Sequence, residues 1–248
     1  MFNNFRLKRV TYNLGDVVET EEDITCAVNN QKLLDRLSKN NNHLLLKSKN
    51  DPKIITYVIS NMTFPSHFKL TTDDNVVFIN CTFQDEVYIA TANKVSFTNN
   101  KYLIASNNFI YNDRFFVIDN TNKVDFINDR FINGLDLARK YEMKINANQI
   151  GIHNSVLYNN NEGHVFFNCN RLDIRDSKLS LRTGKIKSSK VLIDAYSEVD
   201  VSKKIIIDCK NHIGLANINC GDIIMNSTRY TNIKEPEKPN KIKIKINS

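Results

Sequence analysis

Asp125, His153, Asp173, Arg175 and Asp194 stand at equivalent places in successive copies of one short sequence word. Together they hold the groups that acid–base chemistry on a sugar needs. Paired carboxyls hydrolyse a glycosidic bond when they flank it at about 5–9.5 Å. Asp125, His153, Asp173 and Asp194 are therefore the catalytic candidates. A second set is cationic. Lys101, Arg130 and Lys178 recur at a later place in the same word. With Arg175 and Arg182 they form a candidate binding surface for a glycan or another anionic polymer. Residues 171–190 carry seven Lys or Arg against only Asp173 and Asp176, which concentrates that positive charge.

The word that positions these groups is clearest at 76–83, Val-Val-Phe-Ile-Asn-Cys-Thr-Phe. Copies begin at 57, 76, 95, 124, 150, 172, 191 and 213, so the steps are 19, 19, 29, 26, 22, 19 and 22 residues. Apolar residues at the first and third places alternate with variable ones, which is the period of a strand. The fifth place breaks the alternation with Asn61, Asn80, Asn99, Asn128, Asn154, Asp176 and Asn217, while the copy at 191 has Ala195 there. Asn and Asp tolerate a left-handed backbone best among residues with a side chain, so the fifth place reads as a tight corner. The sixth and eighth places then point inward and the seventh outward. Steps near 20 residues signal stacked units. Parallel pairing at roughly 4.8 Å would pile the apolar residues into columns and the corner asparagines into a ladder.

This pattern, over about 54–225, resembles the right-handed parallel β-helix of the pectin-lyase-like superfamily. The resemblance implies an all-β chain, a solenoid of about eight coils with an N-terminal capping helix. The layout it implies is a cap over 1–50, the β-helix over 51–226, and a linker with a basic edge strand over 227–248. Lyases of that superfamily hold calcium on carboxylates beside an Arg or Lys base, and its glycosidases group several Asp with Gly-His-Gly and Arg-Ile-Lys. Here Gly163-His164 is followed by Val165, and no acidic calcium triplet is visible. The expectation is therefore a non-catalytic binding or assembly module without metal or cofactor. It would bind a glycan or another polyanion, a protein partner or further copies of itself, and a phage or viral component fits this description. The alternative is a polysaccharide lyase or glycoside hydrolase, with calcium only in the lyase case.

Composition excludes several other classes. The 248 residues carry a formal charge of +7, a pI near 9.1, 41% hydrophobic and 25% charged residues, as expected of one soluble globular domain. No apolar run reaches the roughly 18 residues of a membrane span. The basic start, 1–10, lacks the apolar stretch of a secretion signal. A cytoplasmic, virion-associated or non-classically exported protein is expected. Five cysteines, an odd number without Cys-x-x-Cys, indicate neither a disulfide frame nor a zinc site. Cys81 and Cys220 fall at inward places and read as small buried residues. Phosphate-binding loops, metalloprotease helices, nucleophile elbows and aromatic-studded basic motifs are missing, so nucleic acid is not an expected partner.

Outside the words, 29–40 reads as an amphipathic helix with Leu33, Leu34 and Leu37 on one face. Strands are expected at 10–14 and 44–47, with an acidic turn or helix start at 19–23. The two long steps place insertions at 104–123 and 132–149, which would build a wall beside the repeats. Val58, Val77 and Ile79 fall at outward places, so a terminal segment or a partner should cover them. Residues 235–239 read as a stiff linker, and 241–246 alternate Lys and Ile as an edge strand.

Overall fold

The fold was analysed in a computed structural model, which describes residues 15–19, 24–46, 54–103, 114–132, 142–157, 163–215, 218–227, 229–232 and 241–246. The described residues are all-β apart from one helix. Each repeat contributes three strands. Ile55–Ser60, Thr63–Phe64 and Phe68–Thr72 form one set, and Asn75–Ile79, Thr82–Gln84 and the start of Val87–Thr98 form the next. Equivalent strands pair in parallel from one unit to the following one. Tyr57 opposes Val76, Val76 opposes Val95, and Val95 opposes Val124. Ile150 and Leu172 continue the column. Among the described residues one pair is antiparallel, the hairpin of Gly15–Glu19 with Ile24–Val28, and Ile24–Val28 in turn pairs in parallel with Ile55–Ser60. This hairpin has no counterpart in the sequence expectation, because it carries no word.

The side-chain columns follow from the register. First and third places of the word are buried, as at Val76, Phe78, Val95 and Phe97. Phe78, Phe97 and Phe126 stack with ring centroids 5.3 and 5.1 Å apart. The eighth places Phe64, Phe83, Tyr102 and Phe131 stack beside them at 4.8, 5.2 and 3.8 Å. Further along, the same columns turn aliphatic, with Ile152, Ile174 and Ile193 in one and Leu157, Leu179 and Val199 in the other. Offset ring contacts add stabilisation beyond their buried area, so the aromatic half is held more directionally than the aliphatic half.

The corners are left-handed. The φ angles are 55° at Asn61, 52° at Asn80, 58° at Asn99, 56° at Asn128, 47° at Asn154 and 46° at Asp176. Asn99 Nδ2 donates to Asn80 Oδ1 (2.6 Å) and Asn154 Nδ2 to Asn128 Oδ1 (2.5 Å), so neighbouring corners are tied by their side chains. Asn217 lies outside the described residues.

Directly after the corners from Asn80 to Asp176, the sixth place holds a second ladder that runs inside. Cys81 N–H donates to Asn100 Oδ1 (2.7 Å), Asn100 N–H to Asp129 Oδ1 (2.6 Å), and Asp129 N–H to Ser155 Oγ (3.0 Å). Ser155 and Ser177 N–H donate in turn to Ser177 and Ser197 Oγ (3.1 and 3.2 Å). The physical need is plain: a buried N–H at a corner has no strand partner and must find a side-chain acceptor.

The helix is Asn30–Lys39. Asn29 caps it by accepting from Lys32 N–H (3.1 Å), and Arg36 and Lys39 occupy the last turn. Leu33 and Leu37 are buried, but Leu34 is exposed, contrary to the expected three-leucine face. Leu33 and Leu37 are one turn apart, and the stripe that the helix buries is too narrow to include Leu34. Asn30 Nδ2 donates to Ser60 O (3.0 Å), which fixes the helix on the first word.

The expected wall needs correction. Arg114–Ile127 and Glu142–His153 are strands in register with their neighbours, so 114–123 and 142–149 belong to the regular repeat. The additional chain of the two long steps falls at 104–113 and 133–141, outside the described residues. The third strand of each unit is the reason: it lacks a recognisable word, so its residues read as insertion. The expected strand at 10–14 and linker at 235–239 also lie outside, and of the acidic turn at 19–23 only Glu19 is described, in a strand. Lys241–Ile246 pairs in parallel with Asp222–Ser227. Val58, Val77 and Ile79 are half-buried.

Candidate functional site

The parallel register brings some candidates together and separates others. Asp125, Gly151 and Asp173 are successive neighbours in one outward column. Gly151 matters here for its missing side chain. A Cβ at Gly151 would stand 2.6 Å from Asp125 Oδ1 and 2.7 Å from His153 Nε2, so both tips use that space. Asp125 is buried and is flanked by Lys123 Nζ (3.0 Å) and Lys94 Nζ (3.7 Å) on its other oxygen. Asp173 is gripped by Arg175 through Nε (2.9 Å) and Nη2 (2.8 Å), and by Arg171 Nη2 (3.0 Å). Burial works against its ionisation, yet the two guanidiniums outweigh burial and hold the carboxyl below the usual carboxylate range.

Asp194 has a different job. Its carboxylate accepts from Ser197 Oγ (2.6 Å), Tyr196 N–H (3.2 Å) and Asp176 N–H (3.2 Å). It caps the corner of the degenerate word, where Ala195 replaces asparagine, and so it is committed to the backbone.

The cationic candidates do not form one free stripe. Lys101 and Arg130 are direct neighbours in the second-strand column, but Val156 follows and separates them from Lys178. Lys178 Nζ lies 2.9 Å from Glu198 Oε2 and 3.8 Å from Asp200 Oδ2. Arg175 is engaged with Asp173. Arg182 is half-buried beside a register shift between Leu181 and Thr183. Two neighbouring cations and three dispersed or neutralised ones are a weak polyanion surface.

Among the described residues a concavity lies elsewhere, where the third strand of a unit meets the word of the next. A groove of about 650 Å³ is lined by Asp73, Ala92, Asn93, Asn120, Thr121, Asn122, Asn146, Ala147, Asn148, Asn168, Cys169 and Asn170, seven of twelve being asparagine. It continues into a cavity of about 530 Å³ that shares Asn168, Cys169 and Asn170 and adds Lys187, Ser188, Ser189, Asp208, Cys209, Lys210 and Asn226. Ala92, Thr121, Cys169, Ser188 and Cys209 are buried and make the floor. The lining residues run in parallel register from the level of Asp73 to that of Asn226, eight units, roughly 34 Å at about 4.8 Å per step.

One wall is a continuous amide chain. Asn93 Nδ2 donates to Asn75 Oδ1 (2.7 Å), Asn122 to Asn93 (3.4 Å), Asn148 to Asn122 (2.9 Å) and Asn170 to Asn148 (3.1 Å). Asn93, Asn122 and Asn148 each use one donor and one acceptor on their neighbours, and Asn170 uses one donor. A carboxamide has two donors and two acceptor sites, so each of the three keeps one of each outside these bonds. The facing wall runs through Asn146, Asn168, Lys187, Asp208 and Asn226 in parallel register. The sequence held the signal for the amide wall. Asn93, Asn122, Asn148, Asn170 and Asn211 each stand two residues before a word and recur with its steps. The signal was missed because the word was read from its first apolar residue onward.

All five cysteines are buried and outside any disulfide, and burial pushes the Cys169 thiol up to about 11, away from the thiolate form. Among the described residues no cluster of three or more His, Cys, Asp or Glu is placed to hold a metal ion. No described helix is long and apolar enough to cross a membrane. No family model, curated protein or solved structure matches the chain.

Proposed function

We propose that the chain is a right-handed parallel β-helix that binds an extended glycan along the asparagine-lined groove. Support for the helix comes from the recurrence of three strands per unit, the parallel register between units and the left-handed corners every 19 to 29 residues. The observation that carries the binding reading is the amide wall of Asn93, Asn122, Asn148 and Asn170. Sugar hydroxyls donate and accept at the same atom. A wall whose amides keep a donor and an acceptor outside their own chain of bonds matches them without needing charge. The level spacing, roughly 4.8 Å, is close to the length of one pyranose ring along a chain. A neighbour-bonded amide is also preorganised, so little side-chain entropy is lost on binding.

Catalysis finds less support. A glycosidase needs one carboxyl held protonated as the acid. Asp173 is bound by two arginines, which favour its carboxylate form, and Asp125 is occupied by contacts to two lysines. Asp194 is committed to its corner. Binding without turnover is the reading that fits.

The test is a glycan array probed with the wild-type chain and with Asn148→Trp, which places an indole over the groove from an exposed position. Retention of an oligosaccharide by the wild type and its loss in N148W, with an unchanged far-UV spectrum, is expected. Equal retention by both would reject the groove as the site.

A further inference from the structure

In three consecutive units the groove has amides on both sides. Asn120-Thr121-Asn122, Asn146-Ala147-Asn148 and Asn168-Cys169-Asn170 each set two asparagines about one small floor residue. The preceding unit has Thr91-Ala92-Asn93 and the following one Lys187-Ser188-Ser189, so the doubled wall is confined to these three levels. The register aligns them, since Thr121 opposes Ala147 and Asn146 opposes Asn168. Asn120 takes a left-handed backbone, with φ of 53°, within the one extra residue that its strand carries between Ile118 and Thr121. The second wall keeps most of its bonding capacity. Asn146 Nδ2 donates to Asp119 Oδ1 (2.5 Å), and the exposed Asn168 makes no side-chain hydrogen bond among the described residues. None of the residues that line the groove at these three levels is charged, although 25% of the chain is. None is aromatic either, so a ligand here is held by its edges and not by ring stacking.

The geometry points to a neutral β-1,4-linked glycan, bound as an extended ribbon with three consecutive sugars on these three levels. This rests on the glycan reading of the groove and adds the linkage, the charge class and the number of sugars held. Two straight walls need a straight ligand with polar groups along both edges. Equatorial β-1,4 links give such a ribbon, with hydroxyls on each edge and a rise per sugar close to the strand spacing of roughly 4.8 Å. An α-1,4 chain coils, and its hydroxyls leave the walls within a few sugars. Carboxamides donate and accept as hydroxyls do, but they offer no charge to offset the desolvation of a carboxylate or sulfate.

The experiment is calorimetric titration of the full wild-type chain with cellohexaose, chitohexaose and maltohexaose. The two-, three- and four-sugar members of the tighter β-linked series follow. At least one β-linked hexamer should bind about tenfold or more tighter than maltohexaose. Affinity should climb from two sugars to three. From three to six it should gain no more than about fourfold, the number of registers a hexamer can take on three levels. Asn168→Ala removes an amide without a bond among the described residues, and its far-UV spectrum should match wild type. It should weaken the β-linked probe roughly fivefold, the worth of one neutral hydrogen bond. Equal affinity for the α- and β-linked hexamers, a steady gain with every sugar up to six, or full affinity in N168A overturns this inference and leaves the groove reading standing. No binding of either β-linked hexamer, while the array retains another glycan that N148W loses, also overturns this inference alone. No binding of any probe together with an empty array overturns both. The linkage and length comparisons use the wild type only, so they decide the matter even if N168A fails to fold.

Discussion

Asp129→Asn should make this protein more stable at neutral pH and should abolish a pH dependence of stability built into its core. Asp129 is fully buried at the sixth place of its word. Its Oδ1 accepts from Asn100 N–H, and its Oδ2 is buried without a hydrogen-bond partner among the described residues. Burial is the main cause that pushes its pKa from 3.8 up to about 7, against the lowering effect of the bonds from Asn100 and the Ile127 backbone. The folded chain therefore holds the proton more tightly than the unfolded chain does. Below about pH 4 both states are protonated and the group costs nothing. Stability then falls as pH rises towards 7, and above 7 the loss is complete. A shift of about three units corresponds to about 4 kcal/mol. The asparagine keeps an acceptor for Asn100 N–H and carries no charge. Its buried NH₂ has its own cost, about 1–3 kcal/mol, which does not change with pH. Urea unfolding of both proteins between pH 4 and 8 separates the two effects. The stability of D129N relative to wild type should rise by about 4 kcal/mol across that range and be positive at pH 8. A difference that stays constant from pH 4 to 8 would refute the assignment of a neutral, buried Asp129.

Two further substitutions test the corners. Asn99→Val should destabilise by at least about 1 kcal/mol, since a β-branched residue would be forced to the left-handed φ of 58° and the bond to Asn80 would be lost. A melting curve that does not move would argue against a structural corner ladder. Ser155→Ala should cost about 1–3 kcal/mol by leaving the buried Asp129 N–H without its acceptor. The same change at Thr82, which is half-buried and outward, should cost less, and equal denaturation midpoints for the two would count against the inner ladder.

Much of the architecture is written in the word itself. Alternation at 76–79 dictates a strand, Asn80 dictates the corner, and Cys81 and Phe83 are buried because they resume the inward direction after it. The third strand was not legible. Phe68–Thr72 and its equivalents share burial but not a sequence word, since many apolar residues fill an inward place equally well. For the same reason 114–123 read as an insertion. At the candidate site, the outward register of Asp125 and Asp173 was legible, and strand alternation also puts Lys123 and Arg171, two residues earlier, on the same face. Lys94 was not legible as a partner of Asp125, because only the parallel register brings it there. Asp194 read as one more outward acid, although the absence of asparagine at 195 is the reason its carboxylate is needed at the corner. The groove depends on how two strand columns meet, and a one-dimensional pattern does not contain that angle.

The central claim, that the amide wall is the glycan-binding surface, is tested most directly by the side-chain amide resonances of asparagine in a ¹⁵N-labelled sample titrated with an oligosaccharide retained on the array. Asn93, Asn122, Asn148 and Asn170 share the groove. Asn80, Asn99, Asn128 and Asn154 sit at the other corner and form an internal control with the same chemistry and similar exposure. The account predicts that the first four NH₂ pairs shift together and saturate at one dissociation constant while the second four stay in place. Shifts confined to the corner set, or spread evenly over both, would contradict it.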